Sequence, residues 1–382
     1  MPYYTREFFL GPDRQGWPDG SAEQRRALRT LDGLTRLRTQ LDAEIPPRTQ
    51  EETLLLATWN IREFDSRAYG ASSLEPLHYI AEIIARFDLV AVQEVRRDLN
   101  ALKRLMEILG RHWSYLVTDV TEGKAGNQER MAYVFDTRKV SFGGLASELV
   151  LPPFKIKGDD GKTTLSPAQQ LARTPFVCGF QAGWTKFLLA TVHILYGDSK
   201  PNDPRRVQEI RQLAQFLRGR TLNRTAWSQN LIVLGDFNIF RREDATMGAL
   251  EEAGFVIPEE LHEVPGTNVP QNKHYDQIAF RVREDRLETT GRAGVFDPFE
   301  STYRVDDESA YAEEIGEAYE VSSKGKRRDA RSKARYFKTY WRTHQLSDHL
   351  PMWVELRINY TDPYLARLKE KVETSPGGAS AL

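Results

Sequence analysis

The sequence predicts an α/β fold, and three observations carry that prediction. Short apolar runs of strand length recur between residues 53 and 356. Segments with helical periodicity lie between some of them. The 382-residue length is long for one domain but fits a two-sheet sandwich with extensions.

The elements follow in chain order. Residues 1–20 are irregular, with Pro and Gly punctuation. Residues 21–44 read as a helix: Ser21 caps it, Glu23 sits in the first turn, and Leu28, Leu31, Leu34, Leu37 and Leu41 recur at three- and four-residue steps. Pro46 and Pro47 end it. Residues 1–51 are therefore expected to form an N-terminal extension whose helix packs on the main domain. Strands are expected at Thr53–Trp59, Asp88–Val95, Met131–Phe135, Phe176–Phe180, Phe187–Val192, Leu231–Leu234, Tyr275–Phe280 and Met352–Leu356, with helices at Leu74–Phe87 and Pro204–Leu217. A main domain over 52–358 follows. Two segments look inserted: polar, Gly-rich Lys155–Gln170, and Glu300–Lys338, acidic first and then basic (KGKRRDARSKAR, 324–335), expected to be a mobile loop or a helical insertion. Residues 359–382 are expected to form a C-terminal helix and a disordered tail.

Hydrophobic content of 40% and charged content of 28% describe an ordinary globular chain. The net charge of -1 gives no overall field toward nucleic acid or membrane, so attraction must come from local patches. Cys178 is the single cysteine, which excludes an intramolecular disulfide and points to a reducing compartment. The opening MPYYTREFFLGPDRQGWPDG has no basic region followed by an apolar run, and no stretch approaches the ~20 apolar residues of a membrane span. A cytoplasmic location is the expectation. The basic run 324–335 reads either as a solvated face or, because it lies just before Asp348, as a polyanion contact.

Six apolar runs stop on a carboxylate, an Asn or a His: TWNIREF, AVQEV, TVHI, VLGDFN, HYDQIAF and LSDHLP. A single polar residue after a strand is usually the start of a loop. Six such endings point to a site assembled from separate strands. Phosphate-ester hydrolysis needs those residue types. Glu94 and Asp348 suit a hard divalent cation such as Mg²⁺. His193 and His349 suit proton transfer near neutral pH, and Glu129 and Asp276 suit the carboxylates that orient them. Asp236 and Asn238 suit placement of a water or phosphate, and Asn60 can donate to a phosphoryl oxygen or order a metal ligand. His78, His112, His262, His274 and His344 need no catalytic role. Trp59, Trp113, Trp184, Trp341 and Trp353 read as core or interface, with Trp341 the best candidate for base stacking.

The stretches ATWNIREF (57–64), IIARFDLVAVQEVRRD (83–98), ERMAYVF (129–135), RTPFVCGF (173–180), LLATVHI (188–194), LIVLGDFN (231–238), HYDQIAF (274–280) and LSDHLPMWVEL (346–356) occur in the order found in one family. On them the sequence resembles the endonuclease/exonuclease/phosphatase superfamily, in its deoxyribonuclease I-like branch. The resemblance implies a four-layered α/β/β/α sandwich of two stacked mixed sheets. It implies metal binding at Glu94, with Asn60 and Asp348 nearby. It implies catalytic roles for His193 with Glu129, His349 with Asp276, and Asp236 with Asn238. The resemblance puts Arg62 and Arg96 at positions that meet the DNA backbone and minor groove in that branch, and Arg173 at a phosphate-contacting position; a surface ion pair is the alternative for each. Mg²⁺ or Mn²⁺ is the implied cofactor, with Ca²⁺ as a structural or co-activating ion. Nucleic acid is the implied substrate; a small-molecule or lipid phosphate ester is the alternative. Two residues before Glu129, where the branch carries a minor-groove aromatic, this sequence has Asn127, and the insertion at 300–338 has no counterpart there.

Overall fold

The computed structural model describes residues 2–64, 74–122, 127–157, 163–222, 227–282 and 287–374. Six strands form a first mixed sheet: β1 (Thr53–Phe64), β2 (Leu89–Val95), β3 (Trp113–Val117), β4 (Arg130–Asp136), β12 (Thr289–Val295) and β13 (Met352–Arg357), in the order β12-β13-β1-β2-β4-β3. A second mixed sheet has the order β11-β10-β9-β8-β5, from β5 (Val140–Glu148), β8 (Phe176–Ala182), β9 (Thr185–His193), β10 (Leu231–Asp236) and β11 (Asp276–Arg281). Each sheet has one parallel central pair, β1 with β2 and β9 with β10, and otherwise antiparallel neighbours. The polar Lys155–Gln170 segment contains a small hairpin of β6 (Phe154–Lys157) and β7 (Thr163–Ser166).

The pleat explains the layering. Leu54 and Leu56 of β1 join the core shared with the second sheet, while Leu55 and Ala57 join a second core under helices. That second core is covered by α2 (Ala22–Glu44), α3 (Leu74–Ala85) and α4 (Asn100–Leu109). On the other sheet α5 (Pro204–Leu222) and α6 (Ala245–Glu251) bury Ile210, Leu213, Leu217, Met247 and Leu250. The result is a four-layered α/β/β/α sandwich.

The Ser21 hydroxyl accepts from the Gln24 amide and starts α2. The buried face of α2 is Ala27, Thr30, Leu34, Leu37 and Leu41, whereas Leu28 and Leu31, expected in the stripe, are exposed. Three buried leucines, at roughly 1.5–3 kcal/mol each, are enough to hold this helix on the domain. Arg29 adds ion pairs to Glu75 of α3 and to Glu314, both at 2.6 Å.

Glu314 belongs to the 300–338 insertion, which is helical and packed. It runs through α7 (Ala312–Ile315), α8 (Glu317–Glu320) and α9 (Ala330–Tyr336), then a π-helical turn at Phe337–Trp341 and α10 (Arg342–Gln345). Tyr303, Tyr311, Phe337 and Trp341 are buried beneath it. Of the two expectations, mobile loop or helical insertion, the helical one describes the segment; the aromatic spacing that fixes it is hidden among charged residues. Burial also removes Trp341 as a stacking platform. The expected C-terminal helix is α11 (Thr361–Thr374); the expected disordered tail lies outside the described residues. His78 is buried on α3 beneath Tyr4, Phe8 and Phe9. Among the described residues no helix is long and apolar enough to cross a membrane.

Candidate active site

Strand register brings the polar ends together. In the second sheet Asp236 pairs with His193 on one side and with Asp276 on the other. In the first sheet Asn60 pairs with Gln93, next to Glu94. The close approach of β9 and β10 requires a glycine: Gly235 has φ of 131°, and a Cβ there would lie 2.1 Å from the Val192 carbonyl oxygen.

Asp236 is the centre. Its Oδ2 accepts from Asn60 Nδ2 at 3.0 Å and lies 3.4 Å from His193 Nε2 and 3.8 Å from His349 Nε2. Its Oδ1 accepts from the backbone N–H of Asn238 at 2.8 Å. Asn238, itself in the left-handed region, anchors its Nδ2 on the Ile194 carbonyl at 2.8 Å. Asn238 thus shapes the turn that aims Asp236.

Each histidine faces a second carboxylate. His349 Nδ1 is 2.8 Å from Oδ2 of fully buried Asp276. Burial alone would lower the pKa of His349, but Asp276, Asp236 and Asp348 together raise it well above the ordinary value. His349 therefore favours the imidazolium form. His193 Nδ1 lies 3.2 Å from Glu129 Oε2, off the line of a straight hydrogen bond. Glu129 also accepts from Arg173 Nε at 2.7 Å. Burial would raise the Glu129 pKa, yet His193 and Arg173 outweigh it and hold it at about 2. Asn127 and Gln128 before it both have positive φ, a turn that Asn tolerates well.

Glu94 accepts from Asn60 Nδ2 at 3.1 Å and from the Glu63 backbone N–H at 2.8 Å. Burial raises its pKa, as do the carboxylates of Glu129 and Asp348, against an opposing His193. Asn60 Oδ1 is buried without a hydrogen-bond partner. An orphaned amide oxygen beside a crowded, desolvated carboxylate fits a hard divalent cation with oxygen ligands. Among the described residues two groups bring one potential ligand atom each within 4.8 Å of one another: Glu94, Glu129 and His193, and Asp236, Asp276 and His349.

The remaining four expected residues are Asp348, Arg62, Arg173 and Arg96. Asp348 is in neither group; its side chain is 45% exposed and pairs with Arg62 at 3.4 Å. Arg62 also donates to Thr343 Oγ1 at 3.0 Å. Arg173 is 10% exposed and committed to Glu129 rather than open to a substrate phosphate. Arg96 is exposed just beyond β2.

The structure adds residues that sequence reading passed over. The Ser347 hydroxyl donates to the Asn60 carbonyl at 2.6 Å and accepts from the amides of Arg62 and His349. Thr267 accepts from the Asp276 amide at 3.0 Å. Tyr275 stacks on His349 with centroids 5.4 Å apart. Gln93 ties Thr58 to Thr191, joining the two sheets beneath the site. Ser347, Tyr275 and Gln93 lay inside the quoted LSDHLP, HYDQIAF and AVQEV segments, whereas Thr267 carried no signal.

The sequence model of the endonuclease/exonuclease/phosphatase family matches residues 57–283. A deoxyribonuclease of Thioalkalivibrio sp. (strain K90mix) is 30% identical over 207 residues, which cover 52% of this chain and 50% of that protein. Deoxyribonuclease-1 of Bos taurus is 29% identical over 195 residues, covering 49% of this chain and 61% of that protein. The match thus spans half to three fifths of those relatives. Among solved structures, the mannosyl-6-phosphatase of Bacteroides thetaiotaomicron VPI-5482 is 16% identical with a TM-score of 0.47, covering 79% of this chain and 99% of that one. The human Nocturnin catalytic domain is 14% identical with a TM-score of 0.48, covering 80% and 94%. With more than half its length matched, the chain belongs to the endonuclease/exonuclease/phosphatase family, whose members are divalent-metal-dependent hydrolases of phosphate esters.

Proposed function

We propose that this chain is a nuclease that hydrolyses phosphodiester bonds of DNA or RNA by His-assisted attack of water on phosphorus. The carrying observation is Asp236, which Asn60 of β1, His193 of β9 and His349 of the segment before β13 approach at once. The similarity to two proteins named as deoxyribonucleases supports nucleic acid over a small ester.

Asp236 sits where a water can be oriented and its proton accepted. As the water oxygen bonds to phosphorus, the bond to the leaving oxygen breaks and that oxygen needs a proton or positive charge. His349, kept as imidazolium by Asp276, is suited to supply either. His193, backed by Glu129, flanks the same carboxylate and suits contact with a phosphoryl oxygen. Glu94 and Asn60 would hold Mg²⁺ or Mn²⁺. When bound, such an ion neutralises charge building on the phosphoryl and leaving oxygens. Asp348, exposed beside Arg62, suits a contact through metal-bound water rather than a direct ligand.

The test is a substrate panel of single- and double-stranded DNA, RNA and small phosphate esters, with Mg²⁺, Mn²⁺ or Ca²⁺ and with chelator. Metal-dependent cleavage of nucleic acid is expected. Intact nucleic acid in every metal alongside turnover of a small ester would replace this reading.

A further inference from the structure

The insertion places a charged and aromatic surface beside the cleft that the hydrolytic centre does not use. A groove of about 1000 Å³ runs between its two halves, and Glu317, Arg328, Ser332, Arg335, Tyr336 and Tyr340 are among its walls. Tyr336, Tyr340 and His344 recur every four residues, and their rings follow one another with centroids 5.5 and 4.6 Å apart. The π-helical turn at Phe337–Trp341 widens the helix there, so four-residue steps stay in line while Phe337 and Trp341 remain buried. Arg328 lies 4.1 Å over the Tyr336 ring at one end of this ladder. Arg62 lies 5.9 Å over Tyr340 toward the other. Arg62 in turn pairs with Asp348, so the ladder reaches the residue before His349.

A row of cations runs alongside. Arg331, Arg335 and Lys338 are exposed, at steps of four and three that share one helix face, and form no ion pair among the described residues. They span roughly 10 Å of helix rise. Competing acids are largely engaged: Glu314 by Arg29, Glu320 by Lys333, and Asp329 as the cap of α9. Among the described residues, Glu317 is the groove carboxylate that forms no ion pair.

We propose that this track holds a single-stranded segment of nucleic acid and feeds it to the hydrolytic centre, a claim that rests on the nuclease reading above. The cation row meets phosphates. The tyrosine edge, with Tyr340 38% exposed, meets bases. A duplex keeps its bases stacked inside and offers such a surface phosphates alone; an unpaired strand offers both.

The test measures binding by fluorescence anisotropy in EDTA, so that cleavage does not interfere, using labelled oligothymidylate and its duplex with oligodeoxyadenylate. The full chain is compared with the Arg331→Ala/Arg335→Ala/Lys338→Ala triple variant, with Tyr340→Ala and with Glu317→Gln; circular dichroism checks each fold. Removing three phosphate contacts should flatten the slope of log affinity against log salt by about 2 for the single strand. Tyr340→Ala should weaken single-strand binding about tenfold and duplex binding much less. Glu317→Gln should tighten binding. Unchanged affinity and slope in the triple variant, equal losses for single strand and duplex, or no binding by the unaltered chain would each overturn the track. Binding with these signatures but no cleavage under any metal would leave the track standing and remove the nuclease reading. Cleavage with the variants indistinguishable from the unaltered chain would do the reverse.

Discussion

Arg173→Met separates two roles for one arginine. The resemblance places Arg173 against a substrate phosphate, whereas in the structure its Nε is 2.7 Å from Glu129 and both side chains are nearly buried. Met keeps the apolar stem and removes the charge. A charge-assisted hydrogen bond contributes about 1.5–3 kcal/mol, so releasing Glu129 from its orientation beside His193 should lower kcat about 10- to 100-fold with KM nearly unchanged. Stripping one partner from a buried ion pair should also cost about 3 kcal/mol of stability. The pH dependence has a definite sign. Glu129 is held at about 2, below its ordinary 4.5. A depressed carboxylate contributes stability that is fully present above 4.5 and is lost as pH falls toward 2. The stability gap between the unaltered chain and Arg173→Met should therefore be widest above pH 4.5 and should close between 4.5 and 2. Steady-state kinetics and urea unfolding across that range read both effects. A raised KM with unchanged kcat would refute the positioning role and return Arg173 to the phosphate.

Three further outcomes follow from burial. Gln93→Leu leaves the hydroxyls of Thr58 and Thr191 without their partner between the sheets and should cost about 1–3 kcal/mol in urea unfolding, whereas a combined Thr58→Val/Gln93→Leu/Thr191→Val chain should recover most of it; a triple variant as unstable as the single one would contradict this. Gly235→Ala should destabilise by about 3 kcal/mol or more, read as a fall in Tm, because the new Cβ meets the Val192 carbonyl at a φ of 131°; a neutral effect would mean that β9 and β10 are not so closely spaced. Asp136→Asn should cost about 2–3 kcal/mol at neutral pH, since burial opposes its charge and the guanidinium groups of Arg138 and Arg48, both partly exposed, more than offset that. The Asp136 pKa lies well below the carboxylate range, so the difference should shrink on acidification below that range, and a pH-independent difference would contradict the pairing.

The strand ends were legible because each is a local signal: an apolar run stops on a residue that belongs in water. Register then does the assembly, setting His193, Asp236 and Asp276 side by side on three neighbouring strands. Sequence cannot show which way a long side chain turns after the strand ends. Arg173 and Glu129 lie 44 residues apart, just before β8 and β4, and meet only because those strands are stacked in different sheets. The course of Asp348 was hidden for a similar reason: it adjoins His349, and its carboxylate lies 3.4 Å from Arg62. The insertion was read from its charges, although Tyr311, Phe337 and Trp341 fix it through long-range burial against Arg29 and Tyr303. Pattern reading sees periodicity within one element, not aromatic residues shared among three.

Metal-dependent hydrolysis at the Asp236 cluster is tested by plasmid nicking with the unaltered chain and with His349→Ala, each with Mg²⁺ and after EDTA. Nicking should be abolished by EDTA and restored by added Mg²⁺, and His349→Ala should lose about 10²-fold or more at unchanged circular dichroism. Nicking that persists in EDTA, or a His349→Ala rate equal to that of the unaltered chain, would contradict it.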